Sequence, residues 1–196
     1  MGKLLLPQYQ MGGRMRLIAV LIVAGALWSG ELLTNGGFEE PLSVGWTKAQ
    51  YGANILIERS TGHHPDPDYE VYIYKGDGRG YGKIYQTVNI TTLDLRFQAQ
   101  LRFITYASGG TAWAAAALVI SYLSSSNTIL GETRICNKTT YCPWRNSSRL
   151  HLINAPIGSW NHFEFNIDEE LVNLPGVDPS QIAKIRIAVF DTCYDC

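Results

Sequence analysis

From Ala53 onward the chain is a succession of short apolar or alternating runs cut by turn residues. Ala53–Ser60 (ANILIERS), Glu70–Tyr74 (EVYIY) and Lys83–Ile90 (KIYQTVNI) are rich in β-branched and aromatic residues. They are separated by His63-His64-Pro65-Asp66-Pro67-Asp68 and by the glycine-rich stretch from Gly76 to Gly82, so each predicts a strand. Leu95–Tyr106 alternates, with Phe97, Ala99, Leu101 and Phe103 on one face and Gln98, Gln100 and Arg102 on the other, the pattern of a half-buried strand. Trp113–Leu123 (WAAAALVISYL) is apolar enough to pass for a helix, but Ser124-Ser125-Ser126-Asn127 and then Thr128–Cys136 follow it. That order predicts a hairpin through a polar turn. Leu150–Ile153, Trp160–Ile167 and Ile182–Asp191 add three strands, and Leu32-Leu33 offers a short one. Asp168–Pro175, acidic early and closed by proline, predicts one or two turns of helix. About nine to ten strands with one short helix predict an all-β fold, an antiparallel β-sandwich.

Composition agrees. The chain is 46% hydrophobic, 17% charged and carries a formal net charge of -1, against about 25% charged residues in an ordinary soluble domain. That balance gives no electrostatic case for nucleic acid. Nineteen glycines and 11 tyrosines suit short strands and many turns. Residues 1–30 read as an N-terminal signal segment: Lys3, Arg14 and Arg16 supply positive charge, and Leu17–Trp28 is uncharged but shorter than the roughly 20 residues of a spanning helix. Ala24 and Ala26 form an A-x-A pattern, which puts the mature start between Leu27 and Glu31; Met11 and Met15 are alternative starts. An uncleaved membrane anchor is the competing reading. The expectation is a secreted or cell-surface protein with no stable membrane span and one domain over residues 31–196.

Four cysteines, Cys136, Cys142, Cys193 and Cys196, are an even set for an exported chain and predict disulfides. Local pairing of Cys136 with Cys142 and of Cys193 with Cys196 is easy, while either crossed pairing would staple the C-terminal segment to the loop after Cys136. Zinc is a further alternative, although only Cys193 and Cys196 have the short spacing. Asn89, Asn137 and Asn146 each begin an Asn-x-Ser/Thr triplet, which matters where the source glycosylates. No nucleophile with a base, and no carboxylate pair in a cleft, stands out. His63, His64, Asp66, Asp68 and Glu70 cluster, but the intervening prolines predict a solvated loop.

Side-chain parity supplies the binding expectation. Glu70, Tyr72 and Tyr74 share one strand face, Gln98, Gln100 and Arg102 another, and His162 and Glu164 a third. On one sheet these would place aromatic rings beside amides and charges. Sugars suit that combination, because apolar C–H faces lie on rings while hydroxyls bond to Gln, Glu and Arg. The same surface also fits the wet side of any sandwich. Trp46, Trp113 and Trp160 are expected in the core, and Trp144 exposed.

Glu31–Trp46 (ELLTNGGFEEPLSVGW) combines an Asn-Gly-Gly bend, a phenylalanine that drops towards a core, a glutamate and a following tryptophan. It resembles the first strand of the jelly-roll carbohydrate-binding modules, among the galactose-binding-domain-like sandwiches. The tail is similar to the last third of those modules: Gly158–Ile167 led by Trp160, a short helix, then Ile182–Phe190. The resemblance implies a jelly roll, a polysaccharide or glycan partner, and a structural calcium held in part by Glu39. Irregular backbone beside Glu39 can offer carbonyl oxygens to a hard cation. Such modules end on one more strand carrying aspartates, whereas this chain stops at Cys196, which suggests a C-terminal truncation and a longer extracellular protein. Asp191, outside the family's motif, is the second acid expected beside Glu39. The functional expectation is a non-catalytic carbohydrate-binding-type module. A structural or adhesive module without sugar binding is the alternative, and a hydrolase the weakest reading.

Overall fold

The computed structural model describes residues 31–63, 68–108 and 110–196, with residues 16–22 as backbone only. Eleven strands are assigned. They are β1 (Arg16–Ile22), β2 (Thr47–Tyr51), β3 (Ile55–Ser60), β4 (Glu70–Lys75), β5 (Gly80–Asn89), β6 (Arg96–Ile104), β7 (Trp113–Leu123), β8 (Ile129–Lys138), β9 (Leu150–Asn154), β10 (Asn161–Asn166) and β11 (Lys184–Tyr194). One helix, α1 (Ile167–Glu170), runs into a 3-10 turn at Leu171–Asn173. The strands form a five-stranded sheet, order β10-β6-β1-β4-β3, and a six-stranded sheet, order β2-β5-β11-β7-β8-β9. Phe38, Ile73, Phe103, Leu118, Tyr122 and Val189 fill the space between them, each without exposed surface.

The expected sandwich is present, with three differences. First, β8 and β9 pair in parallel, Glu132 with Leu150 through Cys136 with Asn154, so one sheet is mixed. Second, Leu32-Leu33 is not a strand; residues 31–46 form turns, and Thr47–Tyr51, which has only weak apolar alternation, is the strand instead. Third, Arg16–Ile22, read from sequence as part of a leader, runs between β6 and β4 and is antiparallel to both. The remaining leader residues lie outside the described residues.

Trp113–Leu123 shows why its apolar run is a strand. It pairs along its whole length with β11 and, through the Ser124–Asn127 turn, with β8, and Asn127 takes the left-handed conformation at φ 67°. Buried on both faces, such a strand has no polar side to display. Alanine's helix preference of a few tenths of a kcal/mol per residue cannot compete with two complete ladders.

The opening stretch is knotted by Asn35. Its Nδ2 donates to the Glu40 carbonyl, its Oδ1 accepts from the Glu40 amide, and its own carbonyl takes the Trp46 indole N–H at 2.9 Å. Asn35 and Phe38 carry the positive φ angles, 55° and 60°, so the neighbouring glycines are not the strained positions. Phe38 is fully buried against Trp46, ring centroids 5.3 Å apart. Gln86 of β5 clamps this segment to the six-stranded sheet, bonding both the amide and the carbonyl of Thr34.

Candidate functional site

Four of the residues expected from parity, Gln98, Gln100, His162 and Glu164, meet on the five-stranded sheet. His162 faces Gln100 and Glu164 faces Gln98 in register. Glu164 accepts from Gln98 and bonds His162 at 3.2 Å each, and it pairs with Arg96. His162, then Arg96, hold its carboxyl below the ordinary range. The tyrosines do not join this group. Strand β1 lies between β6 and β4, with Ile18 in register with both Arg102 and Tyr72. Tyr72 is buried, stacked on His63 at 4.6 Å, and Tyr74 is half-buried. Within this expected site the aromatic and amide halves are therefore separated by an apolar strand, and Tyr72 is not a displayed ring.

The start of the expected solvated loop, at His63, makes specific bonds. His63 bonds the fully buried Glu70 through its amide and through Nδ1 at 3.0 Å, and Ser60 Oγ approaches the same Nδ1 at 3.3 Å. A hydrolytic relay needs the two ring nitrogens to serve different partners, so this trio is an anchor and not a triad. His64 and Asp66 lie outside the described residues.

Glu39 and Asp191, the two acids expected to share a calcium ion, lie in different surroundings. Glu39 is exposed, whereas Asp191 has no exposed surface and lies within β11, its Oδ2 accepting the Lys75 amide at 2.9 Å. The carbonyls that a cation would use next to Asp191, those of Gly76, Asp77 and Gly78, accept instead from the buried Lys75 ammonium at 2.6, 2.9 and 3.0 Å. Burial lowers the Lys75 pKa, with Asp191 and then Asp77 opposing that shift. Among the described residues no group of three His, Cys, Asp or Glu side chains can hold a metal. Cys193 and Cys196 are bonded, whereas Cys136 and Cys142 are buried thiols and not the expected second bridge.

The aromatic surface is on the other sheet. Inward residues of β5 and β11, such as Ile84 and Val189, belong to the core, so alternation turns Tyr81, Lys83, Tyr85 and Thr87 outward together with Arg186, Ala188, Phe190 and Thr192. The registers set Tyr51 beside Tyr81, Lys83 beside Phe190, Tyr85 beside Ala188, and Thr87 beside Arg186. Ring centroids run from Tyr51 to Tyr81 (6.3 Å), to Phe190 (5.8 Å), to Trp144 (6.0 Å). Phe190 and Trp144, with Tyr85, rest on a floor of small buried side chains, Ala117, Val119, Cys136 and Ala188. Cations border three of the rings on this face: Lys83 lies over Tyr81 and Tyr85 at 5.7 and 5.3 Å, Arg186 over Tyr85 at 5.3 Å, and Arg134 over Trp144 at 4.5 Å. At one end Trp113 stacks on Tyr194, with Arg79 over the tyrosine at 3.9 Å. Trp113 and Trp160 are thus half-buried, and only Trp46 of the expected three is core.

A groove of about 640 Å³ is lined by Trp46, Lys48, Ile57 and Arg59, among others. It presents no open ring, since Trp46 is only 5% exposed.

No family model matches this chain, and no curated protein matches its sequence. Among solved structures it is similar to the enzymatically active domain of tailspike protein 4 from bacteriophage CBA120, with 14% identity and a TM-score of 0.45 over 84% of this chain and 19% of that one. It is similar to a carbohydrate-binding module of the β-sandwich superfamily described as promiscuous in specificity (13% identity, TM-score 0.38, 77% of this chain and 55% of that one). It is also similar to the family 11 carbohydrate-binding module from Clostridium thermocellum in complex with a β-1,3-1,4-mixed-linked tetrasaccharide (14% identity, TM-score 0.39, 81% and 89%). The chain thus spans about a fifth of the first of these proteins and about half of the second.

The sequence carried a signal for the aromatic face that parity alone did not rank. Tyr81, Lys83, Tyr85 and Thr87 alternate as cleanly as the β4 tyrosines do. Which of two alternating faces meets the core depends on the partner sheet.

Proposed function

We propose that this protein is a non-catalytic carbohydrate-binding module of jelly-roll type whose ligand lies along the outer face of the six-stranded sheet. The observation that carries this is the run of four rings, Tyr51, Tyr81, Phe190 and Trp144, spaced 5.8–6.3 Å apart, the last two packed on a floor of alanine, valine and cysteine. Half-open rings in a row offer an extended apolar strip, and the polar groups beside them supply orientation, which is how a chain of pyranose rings is held. Function at the cell exterior is part of the same proposal, as is membership of a longer extracellular protein.

The test is a glycan array with the full chain and with Tyr51→Ala/Tyr81→Ala. Tyr51 is 62% exposed and both rings lie outside the main core, so the double variant should keep a thermal midpoint within a few degrees while losing array binding. Unchanged binding in that variant would remove the site from this face. A wild type that binds no glycan would favour the structural or adhesive alternative.

A further inference from the structure

The charges on the aromatic face are one-sided. Alternation from Ala115, Ala117 and Val119 outward gives Lys138, Cys136 and Arg134 as their β8 neighbours, while β5 and β11 contribute Lys83, Arg186 and Lys184. Arg79 stands at the Tyr194 end. Against these six cations the same rows hold one carboxylate, Glu132, already committed to Arg134 and Ser121. Asp195 lies near the edge, 4.0 Å from Arg79. The whole chain has a net charge of -1, so the positive charge here is local and not a reflection of overall composition.

Donors also outnumber acceptors. Among the described residues the Lys83 ammonium makes no hydrogen bond and lies near two rings, Tyr81 and Tyr85. Arg186 commits its Nε to Thr87. A neutral sugar needs acceptors as well as donors, because each hydroxyl is both; a carboxylate needs donors alone. Resting on the proposal that this face holds a glycan, we infer that its ligand is an acidic polysaccharide bearing carboxylates on the sugar ring, a uronic-acid chain. The spacing favours that class over nucleic acid. The cations stand 4.5–5.7 Å from ring centroids, where a carboxylate one bond from a stacked pyranose falls. A nucleotide's phosphate is separated from its stacked base by a ribose.

The experiment is isothermal titration of the full chain with polygalacturonate, its fully methyl-esterified form, a neutral mixed-linked β-glucan and an oligo-dT. Polygalacturonate should bind, more weakly as salt rises. Lys83→Gln/Arg186→Gln should weaken it tenfold or more, roughly the loss of one charge-assisted hydrogen bond, and the ester should bind no better than the neutral glucan. If the ester or the glucan binds as tightly as the acid, and Tyr51→Ala/Tyr81→Ala abolishes it, the uronate inference falls and the glycan face stands. If no polysaccharide binds, both fall. Tighter binding of oligo-dT than of polygalacturonate at equal salt overturns the inference in favour of a nucleic-acid platform.

Discussion

Asp191 is a carboxyl with no exposed surface whose Oδ1 lacks a hydrogen-bond partner among the described residues. Burial raises it well above its ordinary value of 3.8, against the opposing pull of the Lys75 and Thr192 amides and of the Lys75 charge. A carboxyl raised in the folded state binds its proton more tightly folded than unfolded. Its contribution to stability is therefore complete below the unfolded value and is lost as pH rises through the folded one. Urea midpoints of wild type and Asp191→Asn, measured across that range, should diverge, with the wild type losing ground to the variant above about pH 4. Parallel curves would show that Asp191 is ionised in the fold. The cysteines give a second residue-scale prediction. Burial pushes the Cys136 thiol up to about 11 and raises Cys142 as well, so both are poor nucleophiles near neutral pH. Thiol titration should find none in the native protein and two after denaturation; none after denaturation would mean that Cys136 and Cys142 are bridged.

At the scale of elements, α1 is too short to hold itself and is anchored through Glu170. That carboxylate accepts from Thr133 of β8 at 2.8 Å, bonds His151 of β9 and takes the Asn173 amide at 3.1 Å, while Thr133 also meets the Tyr122 hydroxyl at 3.2 Å. One side chain thus joins the helix to two neighbouring strands, the parallel pair that the sequence did not predict, and through Thr133 to a third, β7. Glu170→Ala should cost about 2–4 kcal/mol in urea unfolding, because it leaves buried donors unmatched. Glu170→Gln, which keeps an acceptor for Thr133, should cost less than half of that. Equal costs would assign the effect to packing. The hairpin of β7 and β8 and the alternation of β6 were legible because each is a local pattern of period two followed by a turn. β2 and the β8–β9 pairing were not, since an edge strand needs little apolar content and a parallel partner leaves no turn between the paired strands.

At the scale of the molecule, the same residues are asked to do two things. Arg16–Ile22 has the composition of an export leader, yet it pairs with β6 over seven positions and with β4 over three. Deleting residues 1–30 removes a strand from the middle of the five-stranded sheet and opens two edges. The 31–196 fragment should unfold at a markedly lower temperature than the full chain and self-associate. A fragment that is monomeric and equally stable would show that β1 adds nothing to the fold. Intact mass of the exported protein then decides its fate in the cell: a start near Glu31 supports the leader, and a start before Arg16 means that the strand stays.

The chain by itself determined the class of fold, most strand positions, the Asn35 turn with its buried Phe38, and the short helix. All of these follow from period, turn chemistry and the burial of large apolar side chains, which act within a few residues. Tertiary structure decided which of two alternating faces is wet. Tyr72 and Tyr85 are equally eligible in sequence, but Tyr72 is covered by His63 while Tyr85 has Lys83 and Arg186 over it. It also decided that Asp191 would be buried and accept the Lys75 amide. The Asp191–Lys75 contact spans 116 residues, and which strand face is covered depends on what packs against it; no local pattern encodes either.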